Sequence, residues 1–485
     1  MAALRTTKFV LYRRIHLVLQ PAKCYNTPAQ MAADFIKAAE AAFLIKASSP
    51  RKLAASLQTE GIQLPGGSTM FMKKVKEILY YTRAFVVWVL MSAAVGAVCG
   101  VIGGAFAITV EEATHLRQHT SWLPWLMPAA GLAIAGLYKL LKLPLTIGTD
   151  EIIRTVQTQD GVSLKMAPAI FLSTALTHLT GGSAGREGAA LQLGGSIGVA
   201  MSRMLKPLGD NRRIFQLCGM AALFSALFGT PLAATIFVIE IVEIGKINHR
   251  ALLPCLISAL TAKLVAVAIG APAELFPLAS GLAETSALTL LQSGGVGLCC
   301  GVVAILFCHA MHLSGRYLRK AIPNDVLRIA LGGVVVALLA AVLGTADYQG
   351  SGMHVILNAL QGNAAPEAFA LKILFTALTL GVGFKGGEIV PSFFVGATLG
   401  CVVAPLIGFD PALGAGLGII ATFCGVTNGA LASLALSVEL FGAEYLPLFG
   451  IAVAVSYALS GHVSLYHTQK FVEPKMGHRD FPSAA

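Results

Sequence analysis

Gly185-Arg186-Glu187-Gly188 and Lys385-Gly386-Gly387-Glu388 place two glycine-framed glutamates in apolar sequence about two hundred positions apart. A charged carboxylate at the centre of a membrane helix costs about 2.5 to 3.5 kcal/mol. Two of them beside flexible backbone therefore point to an ion or proton pathway.

The membrane setting follows from composition. Hydrophobic residues make up 56% of the 485 and charged residues only 12%, and the mean hydropathy is +0.74. A soluble globular domain carries about a quarter of its residues charged, so the chain reads as an all-α polytopic membrane protein. A spanning helix needs about 20 mostly apolar residues, and runs at 84 to 110, 251 to 270, 287 to 312 and 327 to 345 are long enough. Shorter runs at 167 to 180, 189 to 201, 214 to 227 and 412 to 424 are cut by glycine and proline. Such segments suit helices that enter the bilayer and stop, which is tolerated only where the broken end is buried or lines a cavity.

The short runs are organised by a repeat. Glu187 aligns with Glu388 at an offset of 201, Gly194-Gly195-Ser196-Ile197-Gly198 with Gly396-Ala397-Thr398-Leu399-Gly400 at 202, and Cys218-Gly219 with Cys424-Gly425 at 206. Two homologous halves are expected, about 80–250 and 285–468, within a transport domain of 73–470. Such halves are commonly inverted in the membrane, with interrupted segments meeting near its midplane to form the substrate site.

A glycine run before an apolar helix lets backbone amides converge, and the helix start adds partial positive charge, so the ligand expected is an anion. A glutamate in the same loop competes for those amides when ionised and withdraws when protonated, which makes Glu187 a candidate proton-coupled gate. The competing reading is a fixed Glu187–Arg186 pair that only holds the loop.

Gly185-Arg186-Glu187-Gly188, Gly386-Gly387-Glu388-Ile389-Val390-Pro391 and Phe228-Gly229-Thr230-Pro231-Leu232-Ala233 through Glu240 resemble the CLC family of chloride channels and proton-coupled anion transporters, over roughly residues 80 to 468. The resemblance implies the CLC inverted-repeat architecture of tilted, broken helices and a homodimer with one anion pathway per subunit. It places both termini in the cytoplasm, and Glu187 takes the position of the external gating glutamate. It also assigns the anion path to Thr149, Gly185, Arg186, Gly188, Gly386, Gly387, Ile389, Val390 and Tyr466. The departures are informative. Gly148-Thr149-Asp150-Glu151-Ile152 stands where the family usually has Gly-Ser-Gly-Ile-Pro, and Ile241 replaces the internal proton-transfer glutamate after Glu240. Glu388, with Ser-Ala-Gly-Arg-Glu-Gly, is similar to the fluoride-exporting branch, which also lacks the internal glutamate; Val390 stands where that branch often has threonine.

Fluoride is small and strongly hydrated, so a selective site replaces water with close donors, while chloride accepts more apolar surroundings. Thr149 and a protonated Glu388 supply donors. The readings are fluoride/proton antiport and, as the alternative, a chloride channel or chloride transporter of the voltage-gated type. A remote third reading is an intramembrane serine hydrolase, because Gly181-Gly182-Ser183-Ala184-Gly185 matches the G-x-S-x-G elbow, with His178, His309 and His312 available as bases. No Gly-Lys-Ser/Thr P-loop or H-E-x-x-H zinc site occurs, and no cofactor or metal is expected. The nine cysteines show no C-x-x-C spacing and read as packing residues.

Residues 1–72 form a basic extension, with a small amphipathic helix expected at Ala32 to Leu44. Met70 and Met72 precede a second basic cluster, so the extension is read as dispensable or as a mis-annotated start. Lys73, Lys74, Lys76 and Arg83 before the first span put the N-terminus in the cytoplasm, and the expected location is the plasma (inner) membrane of a prokaryote. The net charge of +11 is a membrane-surface signal for lipid headgroups, with nothing that favours nucleic acid. A short cytoplasmic tail, 471–485, closes the chain.

Overall fold

A computed structural model of the protein describes residues 68–205, 211–272, 276–279, 281–472 and 475. The N-terminal extension as far as residue 67, with the Ala32 to Leu44 segment and Cys24, lies outside the described residues, as does the tail beyond 472 apart from Lys475. Contacts divide the chain into Met1–Trp88 and Val89–Ala485, and the site described below belongs to the second unit.

Sixteen α-helices and two short strands form the regular structure of the described residues. The first eight helices are α1 (Ser68–His119), α2 (Met127–Leu141), α3 (Thr149–Thr158), α4 (Met166–Leu179), α5 (Glu187–Met204), α6 (Arg212–Phe228), α7 (Pro231–Glu240) and α8 (His249–Ala268). The next eight are α9 (Ala287–Ala321), α10 (Asp325–Leu343), α11 (Met353–Ala359), α12 (Ala368–Val382), α13 (Ile389–Leu406), α14 (Pro411–Thr427), α15 (Ala430–Phe441) and α16 (Leu446–Leu459).

Among the described residues, six segments are long and apolar enough to cross a membrane. The four runs expected from the sequence fall on α1, α8, α9 and α10; the other two segments are Leu123–Leu141, a 3-10 turn (Leu123–Leu126) that runs into α2 with a proline at the start of each, and Ile389–Leu406, which is α13 with Pro405 inside it. The spanning helices carry exposed apolar side chains such as Leu264, Leu291 and Val342, which hydrocarbon can solvate. In contrast, α5, α6 and α14, and with them the span α13, are buried over most of their lengths. The interrupted helices therefore make the interior.

Helix order repeats. The series α4 to α7 has 14, 18, 17 and 10 residues, and α12 to α15 has 15, 18, 17 and 12. Within each series the second and third helices cross through glycine. A Cβ on Gly194 would strike the Gly219 carbonyl and one on Gly198 that of Phe215; on the other side Gly396 meets Gly418 and Gly400 meets Gly414. Small residues let backbones approach this closely where lipid gives no hydrophobic drive between helices. The structure corrects one alignment: Gly219 corresponds to Gly418, so the match of Cys218-Gly219 with Cys424-Gly425 is two helical turns out of register.

Carboxylates tie the two series together. Glu439 near the end of α15 accepts from the backbone N–H groups of Leu232 and Ala233 at 3.0 and 2.7 Å. Glu240 at the end of α7 accepts from Leu431 and Ala432 at 3.1 and 2.8 Å. Each helix thus supplies the anion that satisfies the other's N-terminal amides. The chain after α16 returns through a parallel pairing of β1 (Glu243–Ile244) with β2 (Lys470–Phe471). Gln469 there donates to the Ile241 and Thr427 carbonyls at 3.0 and 2.8 Å.

Candidate functional site

The two glutamate loops meet. Gly181, at φ +84°, turns the chain out of α4, and Gly383, at φ +117°, turns it out of α12; only glycine adopts such angles without strain. Four residues later Gly185 and Gly387 form an antiparallel bridge, exchanging N–H to carbonyl hydrogen bonds of 2.8 and 2.7 Å. The approach requires bare backbone, since a Cβ on Gly387 would meet the Gly188 nitrogen and one on Gly386 the Ala184 side chain. The N-termini of α5 and α13 are consequently brought together, and both present partial positive charge.

The carboxylates face different surroundings. Glu187, 1% exposed, folds back on its own loop: Oε2 accepts from the Arg186 backbone N–H at 3.0 Å, and Oε1 lies 4.0 Å from Arg186 Nε. Glu388 is half-buried, and its Oε2 has no hydrogen-bond partner among the described residues. That oxygen lies 3.3 Å from the point where a Cβ on Gly188 would stand, a point 3.4 Å from Thr149 Oγ1.

Glu388 lines a cavity of about 490 Å³ together with Thr149, Gln192, Gly386 and Tyr466. Thr149, at the start of α3, accepts from Gln192 Nε2 at 3.3 Å and lies 3.5 Å from the Gly188 carbonyl. Tyr466 is buried with its hydroxyl unpartnered among the described residues, as is Gln192 Oε1. Tyr466 is set by its neighbour: the Thr468 N–H donates to Asp150 Oδ1 at 3.1 Å, with the Thr468 hydroxyl 3.0 Å from the Asp150 carbonyl. From the second loop, Lys385 Nζ donates to the Leu145 and Ile147 carbonyls at 2.5 and 2.8 Å, fixing the approach to Thr149. Its ammonium sits 4.7 Å from the Tyr138 ring centroid.

Of the candidate residues, Thr149, Gly386, Glu388 and Tyr466 share this cavity, while Gly185, Arg186, Glu187, Gly188, Gly387, Ile389 and Val390 lie outside its lining. Val390 packs beside Gly185, 3.2 Å from the position a Cβ would take there. Gln192 and Lys385 are polar residues of the lining that the sequence reading did not assign to the site, as are Asp150, Arg319, Arg328 and His467; His312 was named only as a possible base. A signal was present for Gln192, which falls four residues after Gly188 and thus on the same face of α5.

Behind Gly185 the loop is knitted to a second one. Ala184 donates to the Gly350 carbonyl at 3.2 Å and Gly350 to that of Gly182 at 3.1 Å. Buried Lys372 donates to the Tyr348 and Gly350 carbonyls at 3.2 and 2.7 Å, and Arg117 donates to Gln349 Oε1 at 2.6 Å. Ser183 Oγ pairs with Thr376 Oγ1 at 3.0 Å, whereas His178 Nε2 lies 3.4 Å from the Gly185 carbonyl. The serine has a hydroxyl for a neighbour and the histidine a carbonyl, so the elbow motif does not assemble a nucleophile with its base.

Known proteins share this arrangement. The voltage gated chloride channel family matches residues 137–461. A chloride/fluoride channel protein of Pseudomonas syringae pv. tomato is 33% identical over 402 residues, covering 81% of this chain and 88% of the relative. The voltage-gated ClC-type chloride channel ClcB of Salmonella typhimurium is 29% identical over 360 residues, covering 70% and 84%. The crystal structure of a CLC-type fluoride/proton antiporter superposes with a TM-score of 0.77 at 31% identity, covering 80% of this chain and 98% of the other. A slow cyanobacterial Cl⁻/H⁺ antiporter shares the fold at 19% identity and a TM-score of 0.66. The fold is the all-α, inverted-repeat architecture of these transporters, and the chain belongs to the voltage gated chloride channel (CLC) family of membrane proteins.

Proposed function

We propose that this CLC protein exports fluoride in exchange for protons, with Glu187 as the gate and Glu388 as a second proton or fluoride partner. The observation that carries the reading is the cavity in which Glu388 Oε2 and the Tyr466 hydroxyl both lack partners among the described residues, beside Thr149. A strongly hydrated anion gives up water only where donors replace it. A protonated Glu388 and the Tyr466 hydroxyl are such donors. The name of the fluoride/proton antiporter supports the same choice, and that of the chloride/fluoride channel protein supports fluoride as one of the anions.

In this mechanism the anion enters beside Thr149 and Tyr466 and passes the bridged loops Gly185–Gly188 and Gly386–Val390. Ionised Glu187 occupies the amides at the start of α5; on protonation it leaves them to the anion. Hydrogen fluoride is a weak acid, so fluoride and proton movements are naturally linked. The working unit is a homodimer. An apolar groove of about 560 Å³ between α7, α8, α15 and α16, lined by Ile236, Leu252, Leu431 and Val438, supports a second copy there. Both termini lie in the cytoplasm.

Liposomes holding the purified protein, loaded with fluoride or chloride while external pH is recorded, test the reading. Fluoride efflux with stoichiometric proton uptake is expected. Fast chloride efflux without proton movement would instead establish a channel and reduce Glu388 to a structural residue.

A further inference from the structure

An exchanger needs a proton route to the cavity from the side opposite the gate. Ile241, directly after Glu240, is fully buried and apolar, and its carbonyl is taken by Gln469. The route must therefore run elsewhere. His312 of α9 and His467, next to Tyr466, line the same cavity as Glu388. Their rings stack with centroids 3.7 Å apart and 27° between planes. His467 is exposed and His312 half-buried, and both share the lining with buried Tyr466 and with Glu388, so the pair joins the exposed edge of the lining to the cavity that Glu388 faces.

The hydrogen bonding defines the chemistry. His312 Nε2 lies 3.1 Å from the Leu465 carbonyl. A carbonyl only accepts, so Nε2 carries the hydrogen and Nδ1 is the atom that takes and gives a proton. Charged groups approach the pair from every side. Asp150 comes from α3, Arg319 and exposed His309 from α9, Arg328 from α10, and Lys385 and Glu388 from the second loop. Two imidazolium rings at this spacing repel each other, and the three cations around the cavity add to that repulsion. Two charged rings side by side are therefore disfavoured.

We propose that His312 and His467 are the proton-loading station of the cavity. His467 takes a proton from water or a buffer acid, water in the cavity carries it from the edge of that ring to His312 Nδ1 and on to Glu388, which receives it as a carboxylate, and both imidazoles are left neutral. This rests on the antiport reading above. It identifies two further proton-transfer residues, on α9 and on the C-terminal segment, that take over a task Ile241 cannot perform.

The test is fluoride transport with proton uptake by the full chain in liposomes, comparing wild type with His312→Gln/His467→Gln and with His467→Asn alone. A positioned proton carrier contributes about a hundredfold or more, so the double variant should slow coupled transport at least about tenfold, and millimolar imidazole should restore it. Restoration by imidazole is a readout that a packing role would not give. The single variant removes an exposed ring and leaves α9 intact; it should show the same rescue with a smaller loss. Wild-type rates in both variants, or a loss that imidazole does not repair, would overturn the station. A wild-type protein that moves fluoride with no proton uptake would sink the antiport reading and the station with it. A coupled wild type with unaffected variants would sink the station alone.

Discussion

The loops around Glu187 and Glu388 share a backbone and differ in what surrounds the carboxylate. Each leaves its helix through a left-handed glycine, crosses the other at a two-way hydrogen bond and opens a helix of 18 residues. Glu187 is enclosed and turned onto its own loop's amide, while Glu388 reaches a cavity with one oxygen unpartnered among the described residues. The contrast teaches that the repeat supplies two equivalent anion-receptive helix starts and that the adjoining side chains divide the work between them. In the function proposed above, one start is a gate that competes with the anion and the other a place where a proton and an anion share donors.

If that division is right, Glu187→Gln has the largest effect. The amide mimics the protonated gate and cannot ionise, so proton uptake should vanish while passive anion flux persists. Continued uphill anion movement driven by a proton gradient would end the assignment of Glu187. Glu388→Gln comes next. It keeps the shape of the side chain and removes the exchangeable proton, and a hydrogen bond involving a charged group is worth about 1.5–3 kcal/mol. Fluoride flux should fall about tenfold or more with chloride flux little changed. An equal loss of both anions would make Glu388 structural and the two loops alike in role.

The pairing of these loops was legible because charge and glycine stand out in apolar sequence. Four long spans were legible for the same reason. The register of the helices that follow was not. Seven residues, 205 to 211, join α5 to α6, whereas four, 407 to 410, join α13 to α14, so the offset drops by three after the first helix of each pair. Glycine is common enough in this chain that Cys424-Gly425 offered a false match two turns away. Tyr466 was suggested by a few residues near the last helix, and its place beside Thr149 depends on Asp150 and Thr468, 318 positions apart. The reciprocal caps of Glu240 and Glu439 likewise depend on tertiary contact, which local sequence does not encode. The clamp made by Lys385 follows the same logic. Read as sequence it is one more charge before a glycine run, and its two carbonyl acceptors lie about 240 residues upstream.

Lys385 and Ser183 hold the same place in the two loops, two residues before the bridging glycines, and they allow the comparison to be sharpened further. Lys385→Met keeps the stem against Tyr138 and removes two hydrogen bonds from an ammonium. The segment before Thr149 should loosen, lowering the thermal unfolding midpoint and slowing both halides a few-fold, because each such bond contributes about 1.5–3 kcal/mol. Ser183→Ala removes one hydroxyl pair with Thr376, worth about 1 kcal/mol, and leaves the backbone bridge intact. Its effect on transport should be too small to resolve in the liposome assay. The inequality matters because the two positions are equivalent by repeat. A lysine that braces the segment before Thr149 and a serine that pairs with Thr376 of α12, in the other series, show again that the backbone is shared while the side chains make different contacts. Should Ser183→Ala abolish transport, or should Ser183 react with a serine-directed fluorophosphonate, the hydroxyl would have a chemical task that its contact with Thr376 does not explain. The first loop would then have to be understood as more than a gate.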